Sequence, residues 1–288
     1  MTDAWLQLTV LTRPRNLDAI ANFLMERGAP GVILKSRGLD AYFPRSPNDA
    51  ALKQDVRRFL GGIARLSPNG ARPRADWRVV EAENWQNSWK RFIKPRRVGK
   101  VFWLTPPWIA PPRAPRRRVI TIEPGMAFGS GTHATTRGCL EFIERVAESF
   151  QNQPFRALDV GTGSGILTIG LVKLGAERVW AIDNDPVALQ VARENLRLNQ
   201  VAEKVHLSGR RLSEIRKKFP VVVANLTAET IMALAGGLER KVAAGGFLIL
   251  SGILQQKGGA VARRFAPAFR VLARRRSREW ATLLLRRK

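Results

Sequence analysis

The sequence predicts an α/β protein: a Rossmann-like, largely parallel sheet with a terminal antiparallel hairpin, preceded by a small ferredoxin-like α+β domain. Three observations carry this reading. Apolar runs near 156–160, 179–183, 204–207, 220–225 and 246–251 are separated by helix-length segments, as parallel crossovers require. The runs near 268–274 and 279–286 are joined by a few residues around Arg276 and Ser277, a connection open only to an antiparallel pair. The first 80 or so residues, finally, read in the order β-α-β-β-α-β.

Taken in order, residues 4–11 form a strand, and Asn16 is placed to cap a helix whose apolar positions are Leu17, Ile20, Phe23 and Leu24. Gly28 suits the end of that helix. Short strands follow at 31–35 and 41–43. A helix over 49–65 carries Leu52, Val56, Phe59, Leu60 and Ile63 on one face, and a last strand covers 77–80. These elements make up a first domain, 1–82. Residues 83–118 then hold Trp85, Trp89, Trp103 and Trp108 among prolines that include Pro106, Pro107, Pro111, Pro112 and Pro115, a composition that reads as a semi-rigid linker packed by its tryptophans. Aromatic residues among basic ones are also open to nucleic-acid stacking, but the i,i+4 spacing of Trp85 and Trp89 favours packing. The strand-helix alternation fills the remainder, 119–288.

The length of 288 residues suits two domains, and an apolar fraction of 45% supports a sizeable core. With Cys139 as the single cysteine no intramolecular disulfide can form, and a reducing compartment is expected. The N-terminal residues lack a signal-peptide pattern, and no apolar run approaches spanning length, so a cytoplasmic protein without membrane contact is expected. The net charge of +26 rests on 37 Arg against 12 Lys. Such a surface attracts phosphate backbones, ribosomal RNA most simply, and equally describes a solvated face in an Arg-biased proteome. The C-terminal hairpin concentrates this charge at Arg274, Arg275, Arg276 and Arg278.

The most informative stretch is Leu-Asp-Val-Gly-Thr-Gly-Ser-Gly, residues 158–165, an apolar strand that runs into a glycine-rich turn and then into helical periodicity. A strand, a turn and a helix N-terminus present backbone N–H groups to a ligand, and glycine lets the backbone approach it closely. The dinucleotide fingerprint needs Gly or Ala where this chain has Ile166, which disfavours a dehydrogenase. Here Asp159 precedes Gly161, Gly163 and Gly165. Asp183 ends the next strand 22 residues beyond Gly161, where a carboxylate can accept both ribose hydroxyls. Asp-x-Gly-x-Gly-x-Gly with that acidic residue resembles the S-adenosylmethionine site of class I methyltransferases, and a terminal antiparallel hairpin is the arrangement of that class. The alternative is a tight turn in some other α/β protein.

Two further stretches reach the same edge. Residues 123–136, Glu-Pro-Gly-Met-Ala-Phe-Gly-Ser-Gly-Thr-His-Ala-Thr-Thr, combine mobile glycines with Phe128, His133, Thr135 and Thr136, and are placed to fold over the cofactor. Thr136 opens the helix that continues to Ser149. The buried strand Val-Val-Val-Ala-Asn ends in Asn225, at the carboxyl edge where ligands of parallel sheets lie. Its amide can hold the methionine part of the cofactor or accept from an incoming amine; capping the next helix is the structural alternative.

Taken with Asn84-Trp85 through Trp89-Lys90, Ala181 to Pro186 and the run from Gly245 to Leu254, these stretches resemble the bacterial ribosomal protein L11 methyltransferase family, PrmA. The resemblance spans nearly the whole chain, and Phe-Gly-x-Gly-Thr-His-x-Thr-Thr is its specific part. It implies a protein methyltransferase, with S-adenosylmethionine contacts at Thr136, Gly161, Asp183 and Asn225, and with Phe128, His133, Asp159 and Gly163 around them. It also implies an N-terminal domain that holds ribosomal protein L11, whose lysine ε-amino groups and N-terminal α-amino group are methylated. A monomer is expected. This chain departs from the family at Thr162, where Cys is common, at Ala134, where Pro is frequent, and in its basicity.

Methyl transfer from a sulfonium is an in-line displacement, so alignment supplies much of the rate. The attacking amine must be neutral, against a lysine pKa near 10.4, and a desolvated entrance helps by disfavouring the ammonium. Asn225 is the residue assigned to catalysis. No dedicated general base is evident, since His133 suits loop fixing and His206 lies on a strand, and two His with one Cys make no metal cluster. Base methylation is disfavoured because Leu226-Thr227-Ala228 follows Asn225 in place of Pro-Pro-aromatic. Another protein target, or a non-catalytic ribosome-associated RNA-binding factor, remain the alternatives.

Overall fold

Leu6, Leu8 and Val10 alternate with Gln7 and Thr9, and this two-residue period folds β1 (Ala4–Leu11) with one face buried. The computed structural model describes residues 4–65, 73–81, 94–111, 117–123, 133–151 and 153–288. The chain divides between Lys94 and Pro95 into two compact units.

In the first unit β1 is followed by α1 (Leu17–Glu26), β2 (Val32–Lys35), β3 (Gly38–Pro44), α2 (Asp49–Arg65) and β4 (Arg74–Glu81). The strands lie in the order β2-β3-β1-β4 with every neighbouring pair antiparallel, so two split β-α-β units interleave. Leu17, Ile20 and Leu24 of α1 are buried, and Phe23 stacks on Phe59 of α2 at 3.9 Å. Only Val56, Leu60 and Ala64 of α2 are fully buried, while Leu52, Phe59 and Ile63 pack at the margin. Asn16 stands at the start of α1 but does not cap it. A 3-10 turn over Pro14–Asn16 holds its backbone helical, and its amide donates to Thr12 Oγ1 (3.2 Å).

The second unit begins where the sequence suggested a linker. Arg96–Val98 (β5), Phe102–Thr105 (β6) and Arg118–Thr121 (β7) form a small sheet, β5-β6 antiparallel and β6-β7 parallel. Val98, Phe102, Leu104 and Ile120 belong to the unit's own core. The described part of 83–118 is therefore an integral piece of this unit and not a connector. Trp103 lies on the opposite side of β6, under the Arg97 guanidinium at 5.2 Å. Trp85 and Trp89 lie outside the described residues.

The main sheet follows: α3 (Ala134–Glu148), β8 (Phe155–Val160), α4 (Ile166–Lys173), β9 (Ala176–Ile182), α5 (Pro186–Leu198), β10 (Val205–Ser208), β11 (Phe219–Asn225), α6 (Ala228–Lys241), β12 (Val242–Leu254), α7 (Gln255–Phe265), β13 (Phe269–Ser277) and β14 (Trp280–Arg287). The strand order is β10-β9-β8-β11-β12-β14-β13, parallel except where β14 meets β12 and β13. The central strands of the sheet are buried on both faces, so they are continuous apolar runs. Ala157, Val179, Val221 and Val223 face one core with α3 and α4, while Leu158, Val222, Ala224 and Leu248 face another with α6 and α7. Between β10 and β11 the crossover holds a 3-10 turn, Leu212–Glu214, in place of the expected full helix. No helix among the described residues is long and apolar enough to cross a membrane.

Candidate active site

Strand order grows outward from β8 through β9 to β10 on one side, and through β11 to β12 on the other. The carboxyl ends of β8 and β11 therefore flank a reversal of direction, the place where open α/β sheets hold ligands. Register carries the site across this edge. Val160 pairs with Ile182 and Ala224, so Asp183, Gly161 and Asn225 are the next residues out of three adjacent strands, and Asn225 itself pairs with Ser251.

Gly161, Gly163 and Gly165 all adopt positive φ, +73°, +54° and +81°, which a side chain would oppose. A Cβ at Gly161 would stand 2.4 Å from Leu226 Cδ2, so a side chain there would also have to displace that leucine. The loop is anchored to β9 by the N–H groups of Gly161 and Thr162, which both donate to the Ile182 carbonyl (2.8 and 3.0 Å). The N–H of Gly163 donates to Asp183 Oδ2 (2.8 Å), and that of Asp185 to Asp183 Oδ1 (3.1 Å). Both carboxylate oxygens of the half-buried Asp183 are thus held in place, each with a lone pair to spare.

Asp159 lies beneath the loop with no solvent exposure. Its Oδ2 accepts from Thr162 Oγ1 (2.8 Å) and Thr168 Oγ1 (2.7 Å). Burial pushes its carboxyl up to about 6, against the lowering effect of the two threonines, and the nearby Asp183 charge adds to the rise. Thr162 shapes the loop by clamping this carboxylate.

His133 caps α3, so the helix starts two residues earlier than the sequence suggested. Its Nδ1 lies 2.7 Å from Thr135 Oγ1, and its ring meets Trp280 edge-on at 5.0 Å. These contacts fix the helix start. Ser251 Oγ donates to the Thr135 carbonyl (3.3 Å), which ties α3 and Thr136 to the strand beside Asn225. Gly252 follows with φ +81°, and a Cβ there would stand 2.3 Å from the Leu226 carbonyl oxygen. This close approach fixes the chain just beyond Asn225. Asn225 caps no helix, because Thr227 takes that role with its Oγ1 accepting from the Thr230 N–H (3.3 Å). Phe128 and the rest of 124–132 lie outside the described residues.

Thr136 Oγ1, Asp159 Oδ1 and Asn225 Oδ1 are all buried and have no hydrogen-bond partner among the described residues. Such atoms are costly unless something else satisfies them. Each can accept from a donor on a ligand bound at this edge. Sequence reasoning missed Asn195 and Asn199, both buried on and just after α5. Asn195 donates to the Ser164 carbonyl (2.9 Å) and accepts from the Glu123 N–H (3.1 Å); Asn199 accepts from the Thr121 N–H (2.9 Å). They join the glycine loop to the start of the segment 123–136. Two asparagines at i,i+4 across the end of an amphipathic helix, where asparagine is a poor former, were the available signal.

Comparison with known proteins shows the family. The model of the family "Ribosomal protein L11 methyltransferase (PrmA)" matches residues 4–288. The ribosomal protein L11 methyltransferase of Pelobacter propionicus is 36% identical over an alignment of 305 residues, covering 100% of this chain and 99% of the relative. That of Geotalea daltonii is 37% identical, covering 99% and 98%. The crystal structure of ribosomal protein L11 methylase from Lactobacillus delbrueckii subsp. bulgaricus superposes with a TM-score of 0.63 at 31% identity, over 68% of this chain and 100% of that one. The chain belongs to the ribosomal protein L11 methyltransferase (PrmA) family, S-adenosylmethionine-dependent protein methyltransferases of the class I fold.

Proposed function

We propose that the chain methylates lysine ε-amino groups and the N-terminal α-amino group of ribosomal protein L11, as a monomeric cytoplasmic enzyme that also contacts ribosomal RNA. The observation that carries this reading is the set of three partnerless oxygens, Thr136 Oγ1, Asp159 Oδ1 and Asn225 Oδ1, beside a glycine loop at the strand-order reversal. The residues fit S-adenosylmethionine, which supplies an electrophilic methyl group when bound. In this assignment Asp183 accepts the ribose hydroxyls and the backbone at Gly161 and Gly163 lines the loop. Thr136 and Asp159 accept from the amino group, and Phe128 is assigned to the cofactor as the family resemblance implies.

Asn225 is the catalytic residue of this reading. Its amide oxygen accepts from the incoming amine and aims the lone pair, so that geometry rather than proton abstraction supplies the rate. His133 is committed to the start of α3, which leaves deprotonation of the amine to solvent and desolvation. The N-terminal unit is assigned to L11 docking, because the chemistry-bearing residues all lie in the second unit. The net charge of +26 supports the RNA contact. The test is to incubate purified chain with L11 and S-adenosylmethionine and map methylated amines by mass spectrometry. Methyl groups on lysines and the N-terminus that vanish with Asn225→Ala are expected; an unmodified L11 overturns the reading.

A further inference from the structure

Arg156 of β8 and Arg178 of β9 are register partners, so they leave the same face of the sheet side by side. Neighbouring strands lie about 4.8 Å apart, and like charges placed opposite one another disfavour folding. Trp180 stands two residues further along β9 on that face, paired in register with His206 of β10. Lys217, from the turn before β11, lies over Trp180 with Nζ 4.5 Å from the ring centroid. With Glu177 these residues line a cleft of about 500 Å³. It is open because the β10-β11 crossover supplies only a 3-10 turn where a helix would cover the sheet.

The charge in the cleft is unbalanced. Among the described residues Glu177 is its one carboxylate, paired with Arg156 at 2.7 Å, against three cations. Arg178 spends one N–H on the Glu203 carbonyl (2.8 Å) and stays exposed. The cleft lies toward the amino ends of the strands, away from the edge that holds Gly161, Asp183 and Asn225, so methyl transfer does not account for it.

We propose that this cleft binds single-stranded RNA, with a base stacked on Trp180 and the adjoining phosphates held by Arg156, Arg178 and Lys217. This rests on the reading that the chain contacts RNA, and it moves that contact from the C-terminal hairpin to the open sheet face. An indole floor stacks any base, and a cationic rim tracks the backbone. The Lys217 ammonium is the displaceable occupant of the ring, since an exposed cation-π contact is weaker than a stacked base. Phosphates between Arg156 and Arg178 also relieve their mutual repulsion. An acidic peptide would supply the charge but not the stacked ring.

The test is fluorescence anisotropy of a short labelled oligoribonucleotide with the full chain at several salt concentrations. Replacing Arg156, Arg178 and Lys217 together by Gln is expected to lower the slope of log K against log salt by about 2. Trp180→Leu is expected to weaken binding about tenfold at high salt with the slope unchanged. Replacing the exposed hairpin arginines Arg270, Arg274 and Arg276 by Gln is expected to change the slope by less than half as much. Retained methylation of L11 reports that each variant is folded. No RNA binding by the wild-type chain overturns the RNA reading itself. Binding that depends equally on both triple substitutions, or is displaced equally well by polyglutamate, overturns the cleft alone.

Discussion

Asp159 shows what a single buried carboxyl contributes. Its ordinary pKa of 3.8 rises to about 6 on folding, chiefly through burial. Between those pH values the folded chain holds a proton that the unfolded chain has lost. Stability from this group is therefore complete below about pH 4, falls as pH rises through 6, and stays about 3 kcal/mol lower above it. Urea unfolding of Asp159→Asn should recover about that difference relative to wild type on moving from pH 4 to pH 7; parallel pH profiles would count against the assignment. Asp183 is assigned to the cofactor in the proposed function. Asp183→Ala should weaken S-adenosylmethionine binding by about 1.5–3 kcal/mol in calorimetry, the scale of hydrogen bonds to a charged group. Unchanged affinity would remove the ribose assignment. The position of Asp183 beside the glycine loop was legible in the sequence, because its strand end and its distance from that loop are both local patterns. The threonine clamp on Asp159 was not: Thr162 and Thr168 lie three and nine residues away, and only the turn of the loop brings both to one oxygen.

Among the elements, long apolar strands and the terminal hairpin were read correctly, since continuous runs and a short connection allow few alternatives. The small sheet β5-β6-β7 was not. Its strands span three or four residues among prolines and arginines, too short for a period, and their burial depends on packing against α3 and α4. Glu144 of α3 accepts from the Lys100 and Val101 N–H groups (both 2.9 Å), a tertiary link that composition cannot reveal. Asn195 is the corresponding link on α5. Asn195→Ala leaves the Ser164 carbonyl and the Glu123 N–H without their partner, at a cost of about 1–3 kcal/mol for each group so exposed. Chemical denaturation should show that loss. A variant as stable as wild type would mean that the glycine loop is held from elsewhere.

For the whole molecule, the division at Lys94 and Pro95 separates docking from chemistry in the proposed function. Deleting residues 1–94 should leave calorimetric binding of S-adenosylmethionine intact and abolish methylation of L11; full activity of the truncated chain would place docking in the second unit. In the proposed mechanism solvent deprotonates the amine, so rate should follow the neutral fraction of each amine. From pH 7 to 9 lysine methylation should rise about a hundredfold, while the α-amino group, with its pKa near 8, saturates after about tenfold. A constant ratio of the two products would point to a base in the enzyme. The central claim is that the carboxyl edge at the β8-β11 reversal holds the cofactor. A crystal structure of the chain with S-adenosylhomocysteine tests it most directly. The expected result has ribose hydroxyls on the Asp183 carboxylate and the amino group donating to at least one of Thr136 Oγ1, Asp159 Oδ1 and Asn225 Oδ1. A ligand bound elsewhere, or at this edge with all three oxygens still without a partner, would contradict it.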